Sequence, residues 1–127
     1  MKFLLDTHAF IFWMLDSPEL PRRVRSVMAT ERTMVAFSVL SAWEIAIKTS
    51  LGKLSGVPLD DLADEVRAQG FSILRLELDH VQALTTLPQY HADPFDRGLI
   101  ASALSENLTL ITRDGMFDRY AVRTFWE

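Results

Sequence analysis

The stretch Lys2-Phe3-Leu4-Leu5-Asp6-Thr7 ends a short apolar run abruptly in a carboxylate followed by a hydroxyl. A nearly continuous hydrophobic run of this length reads as a strand buried on both faces, as happens where helices cover both sides of a parallel sheet. In open α/β sheets ligands bind just beyond the carboxyl ends of such strands, and Asp6 stands at that end. An ordinary use is equally open to it: Asp at a strand-helix junction caps the helix by accepting a backbone N–H.

The same alternation continues along the chain. His8 to Asp16 carries Phe10, Ile11, Phe12, Trp13, Met14 and Leu15. That is too apolar all round for a surface helix with one buried stripe, so part of it is expected to face a partner. After the break at Ser17 to Pro21, Val24, Val27 and Met28 mark a second helix whose exposed face bears Arg22, Arg23 and Arg25. Met34 to Phe37 reads as a second strand. Ser38 or Ser41 can cap a helix through Ser50, closed by Gly52. A loop from Lys53 to Pro58 leads into a helix on Leu59, Leu62, Ala63 and Val66, ending at Gly70. Its Asp60, Asp61, Asp64 and Glu65 read as a solvated face near the helix start. Phe71 to Leu76, Thr109 to Thr112 and Val122 to Phe125 are the remaining strands. His80 to Leu87, stopped by Pro88, and Arg97 to Asn107 are the remaining helices. Strands and helices in this rhythm predict right-handed crossovers and an α/β three-layer sandwich with a central parallel sheet of about five strands.

Composition narrows the chemistry. The 127 residues suit one domain, 1–127, with a single core. No apolar run approaches the ~18 residues that span a bilayer, and Met1-Lys2 leads straight into the strand instead of a signal peptide. A cytoplasmic address with no membrane association is expected. With no cysteine, any metal must be held by oxygen or imidazole. The formal charge of -4 argues against a free-standing nucleic-acid binder, whose footprint is basic, unless the negative charge is gathered in a cation site.

The remaining carboxylates fall where such a site would form. Asp114 follows the strand Thr109 to Thr112 as Asp6 follows the first strand. Asp96 lies at the start of the helix leading into that strand, and Glu44 lies early in the helix after the second. Clustered carboxylates repel one another, and a divalent cation resolves the conflict. Oxygen ligands suit Mg²⁺ or Mn²⁺. Each acid also has an ordinary use. Ser41 to Glu44 matches a capping box, Glu44 and Lys48 are an i, i+4 pair, Asp93 and Asp96 flank Pro94 as helix-start residues, and Asp114-Gly115 can be a plain turn. His8, His80 and His91 have no metal-like spacing with one another and are read as nonligands.

Phe3-Leu4-Leu5-Asp6-Thr7-His8, Ser41 to Lys48 with Gly52-Lys53-Leu54, Asp93-Pro94-Phe95-Asp96-Arg97 with Leu99-Ile100-Ala101, and Leu110 to Asp114 stand in this order over nearly the whole chain. Together they resemble the PIN-domain ribonucleases, in particular the VapC-type toxins of bacterial toxin-antitoxin modules. The resemblance implies strand order 3-2-1-4-5 and a metal-binding quartet of Asp6, Glu44, Asp96 and Asp114, with Asp93 as auxiliary or alternate ligand. It also implies a catalytic hydroxyl at Thr112 beside the metal water. The implied reaction is Mg²⁺- or Mn²⁺-dependent hydrolysis of RNA phosphodiesters by a metal-activated water, leaving a 5′-phosphate and a 3′-hydroxyl. The family's habits imply a homodimer bound by a cognate antitoxin. Arg97, Arg113 and Lys48 lie beside these acids and can hold a substrate phosphate.

Two other functions fit the pattern less well. A phosphate-receiving signalling domain needs paired acids after the first strand and a late Lys, whereas Asp6 stands alone and no Lys follows Lys53. A PIN module that binds RNA or a partner without catalysis would keep the fold, but has no need of all four acids.

Overall fold

The computed structural model describes residues 2–31 and 34–127. Its elements run β1 (Phe3–Leu5), α1 (Thr7–Met14), α2 (Arg22–Thr30), β2 (Val35–Ser38), α3 (Val39–Ser50), α4 (Leu62–Ala68), β3 (Ser72–Leu74), α5 (Leu78–Ala83), α6 (Pro94–Glu106), β4 (Thr109–Ile111) and β5 (Thr124–Phe125). Short 3₁₀ turns follow α5 at Leu84–Thr86 and β4 at Gly115–Arg119. The five strands form one parallel sheet in the order β3-β2-β1-β4-β5, as expected.

Alternation along the strands divides the core in two. Leu5, Val35, Phe37 and Ile111 pack with Ala9 to Phe12 of α1, Val24 and Met28 of α2 and Val66 of α4. Leu4, Ala36, Leu74 and Leu110 pack with Leu99, Ile100 and Ala103 of α6 and with Phe117. Strands covered on both faces need no polar alternation, which is why β1 and β4 are continuous apolar runs. Gly98 lets α6 approach α3 closely, since a Cβ there would lie 2.5 Å from Leu40 Cδ1.

The structure corrects the expectation that Phe10, Phe12, Trp13 and Met14 present an apolar face to a partner. Phe10 is fully buried and Phe12 nearly so, while Trp13 and Met14 are partly covered. Phe10 packs on Phe37 with ring centroids 4.1 Å apart, Trp13 meets Phe71 edge-on at 5.5 Å, and Phe12 lies near Trp126. Full burial of each such ring contributes roughly 1.5–3 kcal/mol. The helix is apolar all round because sheet, α4 region and C-terminal segment enclose it.

Several boundaries also move. Ser38, not Ser41, caps α3, its Oγ accepting the Leu40 N–H at 3.0 Å. The Ser41–Glu44 capping box therefore does not form, because Glu44 lies beyond the first turn. Helix α6 begins at Pro94, three residues before Arg97. Proline's fixed φ and missing N–H suit the first helical position, and Asp93 caps it. Strand β3 ends at Leu74, after its last partner on β2, Ser38. Among the described residues no helix is long and apolar enough to cross a membrane.

Candidate active site

Strand register places the first two polar groups. Leu5 pairs with Ile111, and the Asp6 N–H continues the ladder by donating to the Ile111 carbonyl at 3.0 Å. Asp6 and Thr112, each one residue past its strand, therefore stand side by side. The Thr112 hydroxyl donates to Asp6 Oδ2 at 2.6 Å and accepts the Asp114 N–H at 3.1 Å. Asp6 Oδ1 accepts the Ala9 N–H at 2.9 Å, so the capping use of Asp6 is realised with one oxygen while the other faces Thr112.

Glu44 reaches the same edge from the middle of α3. It is buried, with Oε1 accepting the Thr7 hydroxyl at 2.6 Å and Oε2 bound to Lys48 Nζ at 2.8 Å. The Thr7 and Ser41 hydroxyls lie 2.9 Å apart and complete a buried polar seam between α1 and α3. Asp93 caps α6, its Oδ1 accepting the N–H groups of Phe95 and Asp96 at 2.8 and 3.2 Å. Asp114 caps the following 3₁₀ turn through the Met116 N–H at 2.9 Å. For Asp6, Asp93 and Asp114, capping and clustering coexist. Asp96 is different: among the described residues no donor reaches its carboxylate.

These side chains line one open cleft of about 440 Å³, bounded by Asp6, His8, Glu44, Lys48, Asp93, Asp96, Arg113, Asp114 and Gly115. A neighbouring groove of about 360 Å³ continues from Thr112 to Asp114 towards Trp126. The crowding leaves an electrostatic mark. Burial, then the charges of Asp93, Glu44, Asp6 and Asp114, push the Asp96 carboxyl up to about 7. Burial also raises Asp6, against the opposing effect of its Thr112 hydrogen bond. Carboxyls held this way favour a proton or a cation, so the donor set fits a hard divalent ion.

The basic candidates divide. Arg113 lines the cleft, its guanidinium 4.8 Å from the Phe12 ring centroid and 3.5 Å from Glu19. Lys48 also lines it while paired with Glu44. Arg97 is turned away from the lining and donates to the Pro88 and Leu87 carbonyls at 2.7 and 3.4 Å, pinning the segment before α6. Arg25 is engaged by Asp16 and the Ser17 carbonyl, and Arg23 by Glu127. Asp60, Asp61 and Asp64 are exposed, as expected of a solvated face.

His80 is structural: its Nδ1 accepts the Glu77 N–H at 3.1 Å and Nε2 meets Glu106 at 2.8 Å. His91, read as a nonligand, stands beside Asp96 and Asp114. Donor atoms of His91, Asp96 and Asp114 all lie within 4.8 Å of one another. Spacing among the histidines could not reveal this, because the partners of His91 are acids; its position two residues before Asp93 was the available signal.

The sequence pattern of the PIN domain family matches residues 3–123. No curated protein sequence matches the chain. Solved structures that share its fold include three from toxin-antitoxin systems. DNA-bound VapBC from Salmonella typhimurium has a TM-score of 0.72 at 19% identity, over 98% of this chain and 97% of that one. VapBC2 from Rickettsia felis, bound to a DNA fragment from its promoter, has 0.69 at 16% identity, over 100% of both chains. A toxin-antitoxin complex from Klebsiella pneumoniae has 0.59 at 19% identity, over 89% of this chain and 87% of that one. With its matched pattern, its 3-2-1-4-5 sheet and its acids at the carboxyl edge, this chain belongs to the PIN domain family.

Proposed function

We propose that the protein is a divalent-cation-dependent endoribonuclease, acting in the cytoplasm as a single-domain toxin restrained by an antitoxin. The observation that carries this reading is the convergence of Asp6, Glu44, Asp96 and Asp114 on one cleft at the carboxyl edge of the sheet. In this assignment the four carboxylates hold the cation, and Asp93 stays at the helix cap as an outer or alternate ligand. When bound, Mg²⁺ or Mn²⁺ acidifies a water and neutralises charge developing in an in-line displacement at phosphorus.

The chain's own groups supply the rest. Thr112 fixes the orientation of Asp6, and Thr7 fixes that of Glu44, through hydrogen bonds of 2.6 Å. Arg113 and Lys48, on the cleft wall, are the cations available to a substrate phosphate. Arg97, committed to carbonyls, is assigned to holding the Asp93–Asp96 segment in place instead. The products are a 5′-phosphate and a 3′-hydroxyl.

Partner binding is supported by the recurrence of this fold in VapBC and toxin-antitoxin complexes and by a different apolar surface from the one first expected. Val39, Trp43 and Ile47 on α3 and Leu51 just past its end recur every four residues, all exposed, with Trp43 at 60% and Leu51 at 62%. This stripe is assigned to the homodimer or antitoxin contact.

The test is cleavage of a mixed RNA substrate by purified protein with Mg²⁺ or Mn²⁺, beside an EDTA control. Metal-dependent cleavage that is lost in D96N supports the reading. Retained RNA binding with no cleavage under any metal would favour the noncatalytic PIN module.

A further inference from the structure

The imidazole of His91 stands beside Asp96 and Asp114 and is not explained by the acidic quartet. Its side chain is 9% exposed, and its Nε2 is buried with no hydrogen-bond partner among the described residues. The Nδ1 is engaged, 3.1 Å from the Tyr120 hydroxyl. Phe117 and Tyr120 hold the ring, with centroids 5.1 and 5.5 Å away. The free nitrogen is aimed at Asp114, 3.6 Å from Oδ2, too long for a hydrogen bond. One ring nitrogen of His91 lies within 4.8 Å of a donor oxygen of each of Asp114 and Asp96.

A buried nitrogen left unpartnered is costly unless something occupies its lone pair. The Tyr120 hydroxyl offers a reason for that lone pair to be at Nε2. Accepting a hydrogen bond from Nδ1–H, it would fix the tautomer with Nε2 bare, the arrangement by which an outer partner prepares a metal-binding histidine. Asp96, which no donor reaches among the described residues, faces the same gap.

We infer that His91 Nε2 supplies a nitrogen ligand to the cation held by Asp96 and Asp114, so that the site prefers Mn²⁺ over Mg²⁺. The inference rests on the cation-site reading above and goes beyond it by naming a fifth donor and a metal preference. Imidazole suits transition metals, whereas Mg²⁺ is served by carboxylates and water. A mixed oxygen-nitrogen set therefore separates two ions that an all-oxygen quartet would treat more alike. Tyr120 is a positioning residue in this scheme, acting through His91.

The experiment titrates the full chain with Mn²⁺ alone and Mg²⁺ alone by calorimetry, and records electron spin-echo modulation of the Mn²⁺-loaded protein. The wild type should show ¹⁴N coupling to Mn²⁺, and H8Q should keep it, since His8 lines the cleft but lies outside the trio. H91Q should lose the coupling and weaken Mn²⁺ binding by roughly 10-fold or more, with Mg²⁺ binding changed by less than about threefold. Y120F, which removes only the hydroxyl, should weaken Mn²⁺ in the same direction while keeping the coupling. If H91Q does not fold, wild type and H8Q decide alone. Saturable Mn²⁺ binding without ¹⁴N coupling, or coupling that H8Q abolishes, overturns the role of His91 while leaving the cation site standing. No saturable Mn²⁺ binding to the wild type overturns both.

Discussion

On the β1–α3 wall of the cleft, Asp6 and Glu44 are buried and each of their four carboxylate oxygens has a donor: Ala9 N–H, Thr112 hydroxyl, Thr7 hydroxyl and Lys48. Across from them, Asp96 has no donor among the described residues, and Asp114 Oδ2 meets only the His91 ring at 3.6 Å. The first wall is finished by the fold itself. The second holds charge and a lone pair that the fold leaves unsatisfied, and burial, then the charges of Asp93, Glu44, Asp6 and Asp114, push the Asp96 carboxyl up to about 7. Hydrogen bonds position one pair of acids in advance, and burial of Asp96 among the other carboxylates supplies part of the drive to take up a cation.

The comparison breaks most visibly in activity. Asp96→Asn or Asp6→Asn removes a charged ligand at nearly constant shape, and each should lower metal-dependent RNA cleavage by about 100-fold or more. Gel-based cleavage rates on folded variants check this; near wild-type rates in both would remove the acids from the chemistry.

The next effect separates the walls by sign. Thr112→Val keeps the shape but strips a hydrogen bond from buried Asp6, and should destabilise the protein by about 1.5–3 kcal/mol in urea melts. Thr7→Val should do the same to Glu44. Asp96→Asn in EDTA should instead unfold at or above the wild-type temperature, because it removes repulsion and breaks no bond. A loss of stability in D96N equal to that in T112V would make the two walls alike.

A smaller, pH-dependent effect follows. The folded-state value for Asp96, about 7, lies above its ordinary 3.8, so between those values the folded chain holds a proton that the unfolded chain has released. In EDTA this group therefore destabilises the fold fully above pH ~7, and the penalty fades as pH falls toward ~4. Asp6, also raised, acts in the same direction. The difference in melting temperature between D96N and wild type should shrink over that range; a constant difference would deny the crowding. Smallest of all, Lys48→Gln, which keeps an N–H donor for the buried Glu44 carboxylate but removes the charge, should cost about 1 kcal/mol.

What could be read in the sequence, and what could not, follows the range of the interactions involved. β1 and β4 were legible because double burial writes itself into contiguous residues. Asp6 and Asp114 were legible because each ends such a run, Glu44 because α3 directly follows β2, and Asp96 because α6 leads into β4. The enclosure of α1 was not, since Phe71 and Trp126, which cover Trp13 and Phe12, come from remote segments. The start of α6 depended on weighing Pro94 and Asp93 as cap and first turn over the apolar pattern beginning near Leu99. Arg97 looked free because its acceptors, the Leu87 and Pro88 carbonyls, carry no side-chain signal. The surroundings of His91 were not legible for the same reason in another form: Tyr120 and Asp114 meet it only through the fold.

The central claim is that the unfinished wall is a cation site, and a thermal melt of wild type and D96N in EDTA and in millimolar Mn²⁺ tests it most directly. Mn²⁺ at about 100 times its dissociation constant stabilises the wild type by about 2.7 kcal/mol through mass action, roughly 10 °C for a chain of this size. The account predicts that upward shift in the wild type and its loss, in large part, in D96N. A wild type indifferent to Mn²⁺, with D96N melting below it in EDTA, would make these acids caps and ion-pair partners only.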